Sequence, residues 1–259
     1  MKKIGIVGGV AWISTVDYYT EICRRSEEWH AANSLPGPPS TPEMVIESLD
    51  HNKAVAYLGV EGDEESWRLF DEYHRAALQR LELSGADFAL IASNTPHHRF
   101  ETIVRGVTIP VLDIFEVVAK ESAQIGAIEV LILGTAVTMS SSRFRAVFSK
   151  HSIRAASPED EAMRRATTEL IQDLQLGKLE GACERVAVIV KASEGQFTTR
   201  PLVCLACTEL PFAFQERKIL PFFEVDDIGY INAVMLHANA AFNFAVAWRL
   251  RSPRVGSAQ

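Results

Sequence analysis

No apolar stretch among the 259 residues reaches the ~18 consecutive positions that a membrane-spanning helix needs. The most apolar late segment, AVMLHANAAFNFAVAW, is interrupted by His237 and two asparagines, so it reads as a buried helix. Cysteine is scarce. The four residues Cys23, Cys183, Cys204 and Cys207 are too few for a disulfide framework and lack the paired spacing of a structural zinc site. Cys204 and Cys207 form a CxxC, but inside a strand residues three apart point in opposite directions, which argues against a redox pair. Positive charge is also short, with 26 Lys and Arg against 33 Asp and Glu and a formal net charge of −7. With no basic stripe, nucleic acid is excluded as a partner. The run in MKKIGIVGGVAW is too short for a signal sequence and passes directly into a Gly-Gly turn, so it is expected to be the first strand of a soluble, cytoplasmic protein with no membrane partner.

What is present is an ordinary globular composition, 47% hydrophobic and 23% charged. Short β-branched stretches, KIGIVG, EMVIESL, DFALIAS, IPVLD, EVLILGT, RPLVCLA and ILPFFEV, alternate with segments of helical periodicity. That alternation predicts an α/β fold with mainly parallel sheets. AANSLPGPPSTP reads as a surface loop. IGIVGG and VLILGT match as strands ending in glycine, and each is followed by a strand that breaks into small polar residues, LIASNTPHH and LACTELP. The duplication predicts two pseudo-symmetric Rossmann-like lobes, an N-terminal one from 1–110 plus 226–259 and a second from 111–225. Ligands of open α/β sheets bind beyond the carboxyl ends of the strands, so the site is expected in the cleft between the lobes.

Cys207 closes a strand and opens a turn whose free N–H groups could favour a thiolate, as base or nucleophile; the alternative is a space-filling core cysteine. Asn94, Thr95, Thr208 and the turn at Gly8-Gly9 supply donors suited to a carboxylate, with His97 and His98 close behind. GIVGG after a first strand also raises dinucleotide binding, but the GxGxxG order is absent.

GIVGGVAWISTVDYY, SNTPH, LGTAVTM, LGKL and ACTELP together, in this order, resemble the aspartate/glutamate racemase family over essentially the whole chain. ACTELP is the most specific of them. The resemblance implies an isomerase that uses no cofactor and no metal, acts on a small-molecule amino acid, is commonly a homodimer, and places two cysteines on opposite faces of the substrate Cα. Carried over, Cys207 is the second thiol, Asn94 and Thr95 bind the carboxylate, Thr208 accompanies the thiol, and Thr135 and Thr138 occupy polar positions of the second lobe. Gly9, Trp12 and Ser93 join them as substrate-binding candidates.

The first thiol does not carry over. Against a family pattern C-T-N-T the chain reads Ala92-Ser93-Asn94-Thr95, which makes Ala92 the vacant base position. Three accounts stay open. Ala92 is an inactivating substitution, or Ser93, Thr95, His97 or a water replaces the thiol, or the chemistry has changed. A changed chemistry would be single-cysteine decarboxylation of the arylmalonate type, and a non-catalytic small-carboxylate binding protein is the further alternative. A side-chain carboxylate on the substrate would want a cation, for which Lys53, Arg143 and Lys178 are the candidates, Arg143 foremost.

Overall fold

The computed structural model describes residues 1–251, with side chains to 247. Its first sheet holds four parallel strands in the order β2-β1-β3-β4: β1 (Ile4–Gly8), β2 (Met44–Ser48), β3 (Phe88–Ile91) and β4 (Val111–Leu112). The second sheet runs β6-β5-β7-β9-β8, with β5 (Glu129–Gly134), β6 (Arg154–Ala156), β7 (Leu202–Ala206), β8 (Phe222–Val225) and β9 (Ile228–Asn232). Only β8 is antiparallel to its neighbour. The helices between them are α1 (Trp12–Ala32), α2 (His51–Ala56), α3 (Arg68–Leu83), α4 (Phe100–Ile103) and α5 (Ile114–Gln124). The second half adds α6 (Ala136–Ser140), α7 (Ser142–Lys150), α8 (Glu161–Gln175), α9 (Ala182–Ser193) and α10 (Ala233–Arg251).

The expected α/β architecture is present, and the two sheets place the lobe boundaries differently from the sequence reading. Val111–Leu112 hydrogen-bonds into the first sheet and Ile228–Asn232 into the second, so the sheets divide the chain after 112 and again after 232 rather than at 110 and 226. The cause of the second shift is a tight hairpin. Asp226 and Asp227 both adopt positive φ, 50° and 58°, the geometry of a two-residue turn that matches strand twist, and Val225 pairs with Ile228 across it. The end of the expected C-terminal lobe segment, from 252, lies outside the described residues.

The central strands of each sheet are buried on both faces, as parallel strands covered by helices are. In the first, Phe88, Leu90 and Ala92 point toward α1 and α10, while Ala89 and Ile91 point toward α3. In the second, Cys204 and Ala206 face α5 and α7, while Val203, Leu205 and Cys207 face α8 and α9. Helix α10 is shared: Val234, Met235, Ala238, Ala241 and Ala245 pack in the first lobe, Ala233 and Leu236 in the second.

Candidate active site

The carboxyl ends of β1, β3, β5 and β7 converge on one cleft of about 240 Å³. Ser93–Pro96 after β3 and Thr135–Val137 at the start of α6 meet Ala206–Glu209 there, Val10 and Ala11 close one side, and His51, Ala54, Val55 and Leu58 cover it from α2 and its following turn. The volume is below the roughly 300–1,000 Å³ of sites for drug-sized ligands and suits a molecule of amino-acid size.

Ser93, and not Ala92, lines the cleft together with Cys207, which corrects the expectation for Ala92. Extending the β1/β3 register by one residue sets Gly8 against Ala92, just as Gly134 lies against Ala206 in the second sheet. Ser93 is therefore the internal counterpart of Cys207. Side-chain alternation agrees: Ala89, Ile91 and Ser93 continue one face, as Val203, Leu205 and Cys207 do. Ala92 instead continues the Phe88 and Leu90 face, sits 1% exposed in the first-lobe core, and does not line the cleft. Its carbonyl accepts a hydrogen bond from Ser14 Oγ at 2.8 Å.

Asn94 lines the cleft at 3% exposure, and neither its amide nitrogen nor its amide oxygen has a hydrogen-bond partner. A buried unpaired amide is costly, so this one is free for something that enters the cleft. Beside it Thr95 Oγ1 and Thr135 Oγ1 lie 3.1 Å apart, a hydroxyl bridge between the two lobes. Thr135 also caps α6, accepting from Thr138 N–H at 3.3 Å. Thr138 is fully buried, off the cleft surface, with its hydroxyl 3.1 Å from that of Thr135; it positions Thr135 rather than lining the site.

Cys207 is 5% exposed, and its thiol donates to Glu209 Oε2 at 2.9 Å. Thr208 Oγ1 donates to the same oxygen at 2.8 Å, and Gln175 Nε2 to Oε1 at 3.3 Å. Burial, then the charge of Glu209, push the Cys207 thiol well above its ordinary value and favour its protonated form. Glu209, which stands two residues after the thiol in ACTELP, is a site residue that the sequence reading did not single out. Cys204, on the other face of β7, is fully buried and pushed up to about 12 by burial alone.

Gly9 and Trp12 line an adjoining recess that shares Val10, Ala11, His51, Gln175 and Glu209 with the cleft. Gly9 has φ 83°, and a Cβ there would meet the Leu49 backbone at 2.2 Å, so only glycine fits. Its N–H is already donated to Thr15 Oγ1 at 2.9 Å.

The expected cations do not reach the cleft. Arg143 is committed to Asp113 at 2.6 Å, to Glu101 at 3.0 Å and to the His97 carbonyl at 3.1 Å. Lys178 pairs with Asp173 at 2.9 Å. Lys53 lies two positions after His51 on a helix whose cleft-facing residues are His51, Ala54 and Val55, which turns it to the opposite side. His97 is buried behind the wall, with Nδ1 3.0 Å from Asp113 Oδ1, and His98 Nδ1 lies 3.0 Å from Ser141 Oγ.

The sequence profile of the Asp/Glu/Hydantoin racemase family matches residues 7–241. Among solved structures, a candidate Asp/Glu racemase from Yersinia pestis superposes with a TM-score of 0.77 at 24% identity, covering 95% of this chain and 100% of that one. An aspartate racemase homologue from Pyrococcus horikoshii gives 0.71 at 26% identity, covering 95% and 99%. A glutamate racemase from Francisella tularensis in complex with D-glutamate gives 0.63 at 14% identity, covering 100% and 84%.

Proposed function

The chain belongs to the Asp/Glu/Hydantoin racemase family, and from that premise we propose that it transfers a proton at the Cα of a small amino acid or related carboxylate, without a cofactor, using Cys207 as acid and base. The observation that carries this reading is the pairing, in one cleft, of the Cys207–Glu209 hydrogen bond with the unpartnered amide of Asn94.

The chemistry demands a grip on the substrate carboxylate, because a Cα–H is very weakly acidic and the developing enediolate must be stabilised by donors already in place. Asn94 Nδ2 and the Thr95 and Thr135 hydroxyls meet that need, and Thr208 and Ser93 border the same space. With the carboxylate held there, Cα lies between Cys207 and Ser93. The Cys207 proton passes to Glu209, the thiolate takes the Cα proton, and the pair of electrons left on carbon delocalises into the carboxylate. Reversal returns a proton from Cys207 to the same face. Racemisation needs a second acid on the opposite face, where Ser93 offers a hydroxyl far less acidic than a thiol. The proposed activity is therefore fast proton exchange on one face with slow inversion.

A single thiol lining the cleft favours one second reading, decarboxylation of an arylmalonate-type substrate, in which loss of CO₂ generates the carbanion and one donor suffices. Release of CO₂ from phenylmalonate distinguishes it. The expected homodimer is kept as part of the proposal, supported by the exposed stripe Trp12, Val16 and Tyr19 on α1, and is checked by light scattering. Cytoplasmic residence is likewise proposed, and a fluorescent fusion checks it.

The test is proton NMR of L- and D-amino acids in D₂O. Loss of the Cα–H signal from one enantiomer, abolished in Cys207→Ala, supports one-face transfer. Ser93→Cys is expected to gain inversion, and Ala92→Cys is not, because the latter side chain packs in the core. If no substrate exchanges in the parent or in Ser93→Cys, the proposal fails.

A further inference from the structure

We infer that the substituent on the substrate's reacting carbon is apolar and uncharged, an aliphatic or aromatic group, and not the second carboxylate of aspartate or glutamate. This rests on the proposed Cα chemistry and specifies its substrate class.

The cleft beyond the carboxylate grip is walled by Val10, Ala54, Val55, Leu58, Phe70 and Val137. Val55 is 50% exposed and Leu58 38%, so apolar surface is left open to water at the site itself. A hydrophobic substituent entering there would remove that surface from water; a carboxylate would lose its hydration and meet no Lys or Arg among the described lining residues. Among the described residues no Lys or Arg lines the cleft, and the three that could have served are paired or turned away. The fixed charge that does line it is Glu209, of the same sign as the carboxylate it would have to accept.

His51 is the remaining candidate to hold an acid. Its Nδ1 faces the Val10 carbonyl, which can only accept, so Nδ1 carries the proton. In the neutral imidazole Nε2 is then an acceptor, which disfavours a carboxylate and leaves room for an apolar neighbour.

The experiment has two arms on the full chain at pH 8. The first compares Cα–H exchange in D₂O for L- and D-leucine and phenylalanine with that for aspartate and glutamate. The second measures binding of phenylacetate and isovalerate against succinate and glutarate by calorimetry, which needs no turnover. The expected result is exchange with the apolar amino acids and binding of the apolar monocarboxylates tighter by roughly ten- to a hundredfold. Leu58→Arg should narrow the gap, raising affinity for glutarate by roughly tenfold. Exchange with aspartate or glutamate as fast as with leucine or phenylalanine overturns the inference and leaves the Cα chemistry standing. Absence of exchange with every amino acid overturns the chemistry, and the binding arm still decides the wall: preference for the dicarboxylates refutes it, preference for the monocarboxylates upholds it.

Discussion

Replacing Asn94 by leucine should make the unliganded protein more stable and the site worse, two changes of opposite sign from one substitution. The Asn94 amide is 3% exposed and unpartnered on both its nitrogen and its oxygen. Leaving a buried polar group unsatisfied costs ~1–3 kcal/mol, and leucine has nearly the same shape with nothing to satisfy. After allowance for imperfect packing, a gain of ~1 kcal/mol remains, equivalent to a rise of ~2–4 °C in Tm for a chain near this size. The same change deletes a donor to a substrate carboxylate, an interaction worth ~1.5–3 kcal/mol, so kcat/KM for exchange should fall ~10–150-fold. Scanning calorimetry without ligand and NMR exchange rates read the two effects separately. A Tm lowered by more than ~4 °C with unchanged exchange would show Asn94 to be a structural residue and refute the reasoning.

Three further outcomes follow from the buried polar groups. Tyr18 O–H donates to His237 Nδ1 at 2.8 Å, because Nε2–H is spent on the Leu112 carbonyl at 3.2 Å; Tyr18→Phe leaves that nitrogen unpaired and should lower Tm by ~2–10 °C in thermal denaturation. Burial, then the neighbouring His97, lowers His237 to about 3, and burial lowers His74 to about 4. Both stay neutral in the folded chain while the unfolded chain takes up their protons below its ordinary histidine value. Their contribution is full above about pH 6.5 and is lost as pH falls from there toward 4 and 3, at up to about 1.4 kcal/mol per unit for each, as urea unfolding between pH 7 and 4 should show. Finally, burial and then Glu209 hold the Cys207 proton, so iodoacetamide should label that thiol slowly at pH 8, and Glu209→Gln should speed labelling; equal rates in mass spectrometry would separate Glu209 from the thiol's ionisation.

Much of the fold was legible because parallel strands announce themselves as short β-branched runs: IGIVG, FALI, EVLILG and LVCLA all became strands. The strand Ile228–Asn232 was not, since it fell within the segment 226–259 assigned to the first lobe, and the positive φ that makes Asp226 and Asp227 a hairpin turn is invisible in residue type. At the site, Cys207, Asn94 and Thr95 stood out by chemistry. The error of one residue at Ala92 arose because adjacent strand positions differ only in the face they present, and that face is fixed by register with β1, a long-range pairing. Arg143 drew attention as a cation near a helix start, yet its partners, Asp113 and Glu101, are 30 and 42 positions away in sequence, beyond the reach of local pattern.

Helix α10 supplies side chains to both hydrophobic cores, with Ala238, Ala241 and Ala245 against α1 and Leu236 and Ala233 against the second lobe. Loss of α10 from either lobe would open apolar surface in both at once. The two halves, although each has its own sheet, are thereby joined, so thermal unfolding is expected to show one transition and either half cut out alone is expected to lose part of its core.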